Sequence, residues 1–129
     1  MFNENVDRRT HRRAYFSVRD NIMGNFTLYG ETEVGFNASI LNLSRGGLHF
    51  TLNKNQGILP VNGDRLRLVK IAGEAALDFE LNIQLGIKWI LEHESLTHTG
   101  YGCEFIHISQ PGLDRISEFI DSKYVRNKG

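Results

Sequence analysis

The feature that most constrains this chain is a long run of alternation. Phe79, Leu81, Ile83, Leu85, Ile87 and Trp89 fall at every second position, and Asp78, Glu80, Asn82, Gln84, Gly86 and Lys88 stand between them. Successive side chains of a strand point to opposite faces, so this pattern specifies a strand with one apolar and one polar face. Trp89 closes the run. It belongs either to the core face or to the rim of the sheet, where its ring would offer a stacking surface.

Other segments repeat the signal. Val34, Phe36, Ala38 and Ile40 alternate with Gly35, Asn37 and Ser39. The phase slips at Ile40-Leu41, which predicts a β-bulge. After the slip Leu41 and Leu43 share one face, and Asn42 and Ser44 the other. Arg45-Gly46-Gly47 is a turn signal, and Leu48, Phe50 and Leu52 resume the alternation. A polar loop with Pro60 and the pair Asn62-Gly63 precedes a strand over Arg65 to Ile71, and Tyr101 to Ile108 reads as the last strand. One helix follows. Ser109 is placed as its N-cap and Pro111 in its first turn, with Leu113, Ile116, Phe119, Ile120 and Tyr124 at helical spacing. Many short strands and one amphipathic helix predict an all-β fold with a C-terminal helix, a six-stranded antiparallel β-barrel whose open end the helix covers.

At 129 residues with 40% hydrophobic content the chain supports one domain and one core. We divide it into a flexible N-terminal arginine arm over 1–13, a barrel over 14–124 with its closing helix at 110–124, and a tail over 125–129. Lys plus Arg and Asp plus Glu both number 15, so the charge balances. A general nucleic-acid coat protein is usually basic, so any anion must be caught by a local cluster. The single cysteine, Cys103, cannot form an internal disulfide and is expected to be a buried small hydrophobe. With charges where a secretion signal would be apolar, it points to the cytoplasm. No apolar run is long enough for a spanning helix. His93, His98 and His107 match no metal-ligand spacing. No paired acid and base or phosphate loop marks an enzyme.

Two short segments carry the chemistry. The arm contains Arg9-x-x-x-Arg13, immediately preceded by Arg8. The end of the strand that begins at Val34, with its turn, contains Asn42-x-Ser44-x-x-Gly47. An arginine fork matches two adjacent acceptors at once, its plane stacks on bases and its charge attracts phosphate. Asn42 and Ser44 point the same way and offer an amide and a hydroxyl. Gly47 suits a sharp turn or a close backbone approach.

In this order, about thirty residues apart on a β pattern, the two segments resemble the RxxxR and [D/N]xSxxG motifs of the PilZ domain family. Gly102-Cys103-Glu104-Phe105 and the following helix resemble that family's last strand and closing helix, so the likeness covers essentially the whole chain. The family more often has Asp where this chain has Asn42. The resemblance implies a receptor for the bacterial second messenger cyclic di-GMP, not an enzyme, with no other cofactor and no metal. It implies ligand contacts from Arg8, Arg9 and Arg13 on the arm and from Asn42, Ser44, Gly47 and Trp89 on the barrel. Ligand would order the arm and change the surface offered to an unknown protein effector, in the control of motility or biofilm. Arg8 adds a third cation beside the pair and points to two intercalated cyclic di-GMP molecules per chain. Neither a nucleic-acid polymer nor direct membrane insertion is expected. The rival readings are a PilZ-like protein-interaction adaptor that ignores nucleotide, an oligonucleotide-binding barrel and an enzyme.

Overall fold

The alternation is realised as antiparallel strands. The computed structural model describes residues 12–78, 80–92 and 96–128, the side chains of Val18, Ala76 and 124–128 apart. In chain order these form β1 (Arg13–Tyr15), β2 (Met23–Leu28), β3 (Val34–Ser44), β4 (Gly47–Asn53), β5 (Arg65–Ala72), β6 (Glu80–Leu91), β7 (His98–His107) and α1 (Gln110–Lys128). The sheet order is β1-β3-β2-β5-β6-β7-β4, and β4 also pairs with β3. That last pairing closes β2 to β7 into a six-stranded antiparallel barrel, with β1 as an added strand. Closure leaves the barrel strands no free edge, the liability of an open sheet.

The inward residues are the ones the alternation selects. Leu48, Phe50 and Leu52 on β4, and Leu81, Ile83, Leu85 and Ile87 on β6, are buried. Phe26 lies against Phe36 and Phe50, at ring-centroid distances of 5.4 and 4.7 Å, and Phe50 stacks on Tyr101 at 5.0 Å. These large rings fill the barrel centre, so it is a packed core and not a pore.

Bulges bend the strands around this core. The register of β3 against β4 shifts between Ile40 and Asn42, where the phase slips in sequence. A second shift, between Ile87 and Trp89 on β6, is not visible in the apolar pattern. It turns Trp89 outward, so this residue is 41% exposed while Ile87 is buried. β2 was also not readable from alternation.

β1 and β2 share one edge of β3, end to end. β2 covers Val34 to Ser39, and β1 pairs Arg13 with Ser44, Ala14 with Leu43 and Tyr15 with Asn42. Arg13, assigned to the arm on sequence, is thus the first residue of a strand. α1 packs on β1 and β3 through Ile116, Phe119 and Ile120, all buried, and Phe119 stacks on Phe16 at 6.0 Å. Ser109 caps the helix: its Oγ accepts from the Gly112 amide at 3.1 Å. The helix runs to Lys128, past the end at Tyr124 expected from its apolar spacing.

Candidate functional site

The β3–β4 turn is built by one hydroxyl. Ser44 is 1% exposed, and its Oγ accepts from the Gly46 and Gly47 amides, both at 3.2 Å. It also donates to the Gly47 carbonyl at 3.3 Å. The side chain therefore replaces backbone partners in the turn, the usual work of a serine there. Gly47 pairs with Glu104 of β7, and a Cβ on it would collide with the Cys103 carbonyl oxygen. Its bare α-carbon lets β4 leave the turn tight against β7.

Beside this turn the two sequence segments meet. Arg13 Nη1 donates to Asn42 Oδ1 at 2.7 Å, across 29 residues of chain. The guanidinium has five N–H donors, and this bond uses one. Asn42 Nδ2 lies 2.8 Å from His49 Nδ1 on β4. With Oδ1 taken by Arg13, the amide nitrogen is the donor and His49 Nδ1 the acceptor. The imidazole is then neutral and carries its proton on Nε2. Burial, and secondly the Arg13 charge, hold the His49 pKa below its ordinary 6.5, which agrees with that role. The His49 ring meets the Trp89 indole edge-on, with centroids 4.6 Å apart.

Arg13, Ser44, His49, Lys88, Trp89 and Glu104 line an open cleft of about 290 Å³ on the outer barrel wall. Lys88 Nζ and Glu104 Oε1 pair at 3.2 Å. Arg45 points away from the cleft's chemistry, donating to Ser117 Oγ at 2.9 Å and pairing with Asp121 at 3.2 Å, which ties the turn to α1. Cys103 borders the cleft but is 7% exposed, and burial pushes its thiol up to about 12. It is a packing group and not a nucleophile at neutral pH.

Of the residues expected from sequence, Arg13, Asn42, Ser44, Gly47 and Trp89 come together here; Arg8 and Arg9 lie outside the described residues. Asn42 and Ser44 spend their polar atoms on Arg13, His49 and the turn. His49, Lys88, Gly102 and Glu104 were missed. His49 had a usable signal: it sits at an outward position of β4, opposite Asn42. Among the described residues no three His, Cys, Asp or Glu side chains are grouped to hold a metal ion. Nor, among them, is any helix long and apolar enough to cross a membrane.

No curated protein sequence matches this one. Known structures share its fold. The Bacillus subtilis inhibitor of motility, MotI/DgrA, superposes with a TM-score of 0.67 at 15% identity, over 92% of this chain and 52% of its own. The PilZ domain with c-di-GMP of YcgR from Escherichia coli gives 0.64 at 15% identity, over 94% of this chain and 95% of that one. The K. pneumonia MrkH–c-di-GMP complex gives 0.57 at 16% identity, over 92% and 53%. The chain therefore spans about half the length of MotI/DgrA and MrkH and nearly all of the YcgR domain. Identities this low speak for the fold alone. The sequence profile of the PilZ domain matches residues 7–122, and on that match the chain belongs to the PilZ domain family.

Proposed function

We infer that this chain is a receptor for cyclic di-GMP, not an enzyme, and that it binds the nucleotide in the cleft between Arg13 and Trp89. The observation that carries this reading is the Arg13–Asn42 hydrogen bond. It brings the last arginine of the arm and the polar end of β3 to one opening, beside an exposed indole. An arginine fork, a flat aromatic face and polar main chain at a glycine-rich turn are what a guanine and its phosphates require. The c-di-GMP held by the YcgR domain and by MrkH supports the choice of ligand.

Arg8 and Arg9 enter from the arm and close over the ligand. Arg9 takes a guanine edge, and Arg8 offsets the four phosphate charges of two intercalated molecules. Asn42 acts by aiming Arg13, and Ser44 and Gly47 act by shaping the turn. Ordering the arm costs conformational entropy, which the ligand contacts exceed, and presents a new surface to a protein effector in the control of motility or biofilm.

Calorimetric titration with cyclic di-GMP, with GTP and a short RNA as controls, tests this directly. Binding of cyclic di-GMP alone, two per chain, is expected. Arg13→Ala should weaken it by at least about 2 kcal/mol, the scale of a charge-assisted hydrogen bond. No binding by the wild-type chain would leave the adaptor reading, in which the fold contacts proteins and ignores nucleotide.

A further inference from the structure

The outer face of β4, β7 and β6 has an unusual pair of rows. In the first, His49, Gly102 and Trp89 stand side by side, because Gly102 pairs with His49 on one flank and with Trp89 on the other. A Cβ at Gly102 would collide with the indole, so the Trp89 ring lies over a bare α-carbon and meets His49 at its edge. In the second row, one pleat along, Glu104 pairs with Gly47 on one flank and with Gly86 on the other. Residues two apart on a strand share a face and lie about 7 Å from each other. Glu104 is thus a carboxylate one row below an aromatic shelf, between two residues without side chains. Only the end of Ile106 leans over the Gly86 side. Both Glu104 and the indole border the cleft.

A carboxylate is an odd lining for an anion's cleft unless it meets donors. Guanine supplies two in parallel, N1–H and the N2 amine, spaced to match the two carboxylate oxygens. Adenine offers a lone pair at N1 and no amine at C2. The side-chain acceptor expected from sequence at the end of β3, Asn42 Oδ1, already accepts from Arg13. Resting on the cyclic di-GMP reading above, we propose that Glu104 is the specificity-determining residue of the cleft: it reads the N1–H and N2–H edge of a guanine stacked on Trp89.

Lys88 completes the device. Its ammonium lies 3.2 Å from the Glu104 carboxylate and offsets that charge as a phosphate approaches. Discrimination then has two sources. Guanine gains a pair of charge-assisted hydrogen bonds, and a purine lacking those donors leaves a carboxylate unmatched and repelling the phosphates.

The test compares three ligands: the second differs from the first only by the amine at this edge, and the third also carries an amine in place of O6. Cyclic di-GMP has both donors, cyclic di-inosine monophosphate lacks the exocyclic amine, and cyclic di-AMP lacks both. Affinities are measured by calorimetry for the wild type, Glu104→Ala and Glu104→Gln, with thermal unfolding as the check on folding. Glu104 is exposed and its removal leaves the core intact; the isosteric Glu104→Gln carries the test if the alanine variant does not fold. The wild type should prefer cyclic di-GMP over the inosine analogue by about tenfold or more, and over cyclic di-AMP by more than that. In both variants the preference for the amine should shrink to below about threefold. A variant that keeps the full preference, or binds all three ligands tighter by one common factor, overturns the role of Glu104. Failure of the wild type to bind cyclic di-GMP at all refutes the receptor reading, and this proposal with it, without reference to the variants.

Discussion

His49 and Ser44 illustrate how much of this site is fixed by single polar atoms. His49 is neutral because its Nδ1 must accept from Asn42. Its folded-state pKa is below the unfolded 6.5, so the unfolded chain binds the proton more readily. Stability from this group is fully present above pH 6.5 and is lost as pH falls through the lowered folded value. The denaturant midpoint should therefore drop between pH 7.5 and pH 5 more for the wild type than for His49→Gln, whose side-chain oxygen accepts the same hydrogen bond without titrating. Equal drops in the two proteins would disprove the neutral role. Ser44→Ala removes the hydroxyl that holds the Gly46 and Gly47 amides inside a buried turn. Leaving those groups unmatched should cost about 1–3 kcal/mol in urea unfolding. The residue types at both positions were legible as polar and turn-forming. Their partners were not, because a hydrogen bond across strands depends on register, and register depends on bulges that leave little trace in composition.

At the level of elements, legibility followed side-chain volume. β3, β4 and β6 announce themselves because each inward position carries its own apolar side chain. β2 does not: its inward Gly24 has no side chain, and the Phe26 ring and the end of Ile40 fill the space where one would sit. The core contribution of that position is supplied by its neighbours. β1 is too short to show a period. Trp89 reads equally as core or rim because apolar alternation continues through it, while the extra residue at Lys88 reverses its face. The short β1 survives through α1, whose Phe119 stacks on Phe16 just beyond the strand. Phe119→Ala should destabilise the fold by about 3–5 kcal/mol, as for other buried aromatic truncations. Hydrogen exchange at Ala14 and Phe16 should accelerate more than in β5, since α1 packs on β1 and β3. Uniform acceleration across the barrel would mean that α1 stabilises the molecule as one unit.

For the whole molecule, the barrel is the frame on which the cleft is built. Closure, the aromatic centre and the capping helix give β2 to β7 a single cooperative core. On the receptor reading, amide protection over residues 7 to 11 should rise when cyclic di-GMP is added, while protection in β5 and β6 changes little. Exchange monitored by mass spectrometry gives both numbers. Unchanged protection in the arm alongside measurable binding would discard arm closure and keep the ligand. The fold class was readable at this scale because antiparallel alternation and a terminal helix admit few architectures. The position of the cleft was not, since it arises where β1, the β3–β4 turn and the bulged end of β6 converge.

The end-to-end sharing of one β3 edge by β1 and β2 also sets a leash. Main-chain pairing pins Arg13 opposite Ser44, at the cleft mouth. Arg9 is four positions upstream, so even a fully stretched backbone keeps its α-carbon within roughly 14 Å of that anchor. A group confined to so small a volume has a local concentration in the millimolar range or above. On the receptor reading, the arginines preceding Arg13 would meet a bound nucleotide as an intramolecular reagent, whose capture rate does not depend on how much protein is present.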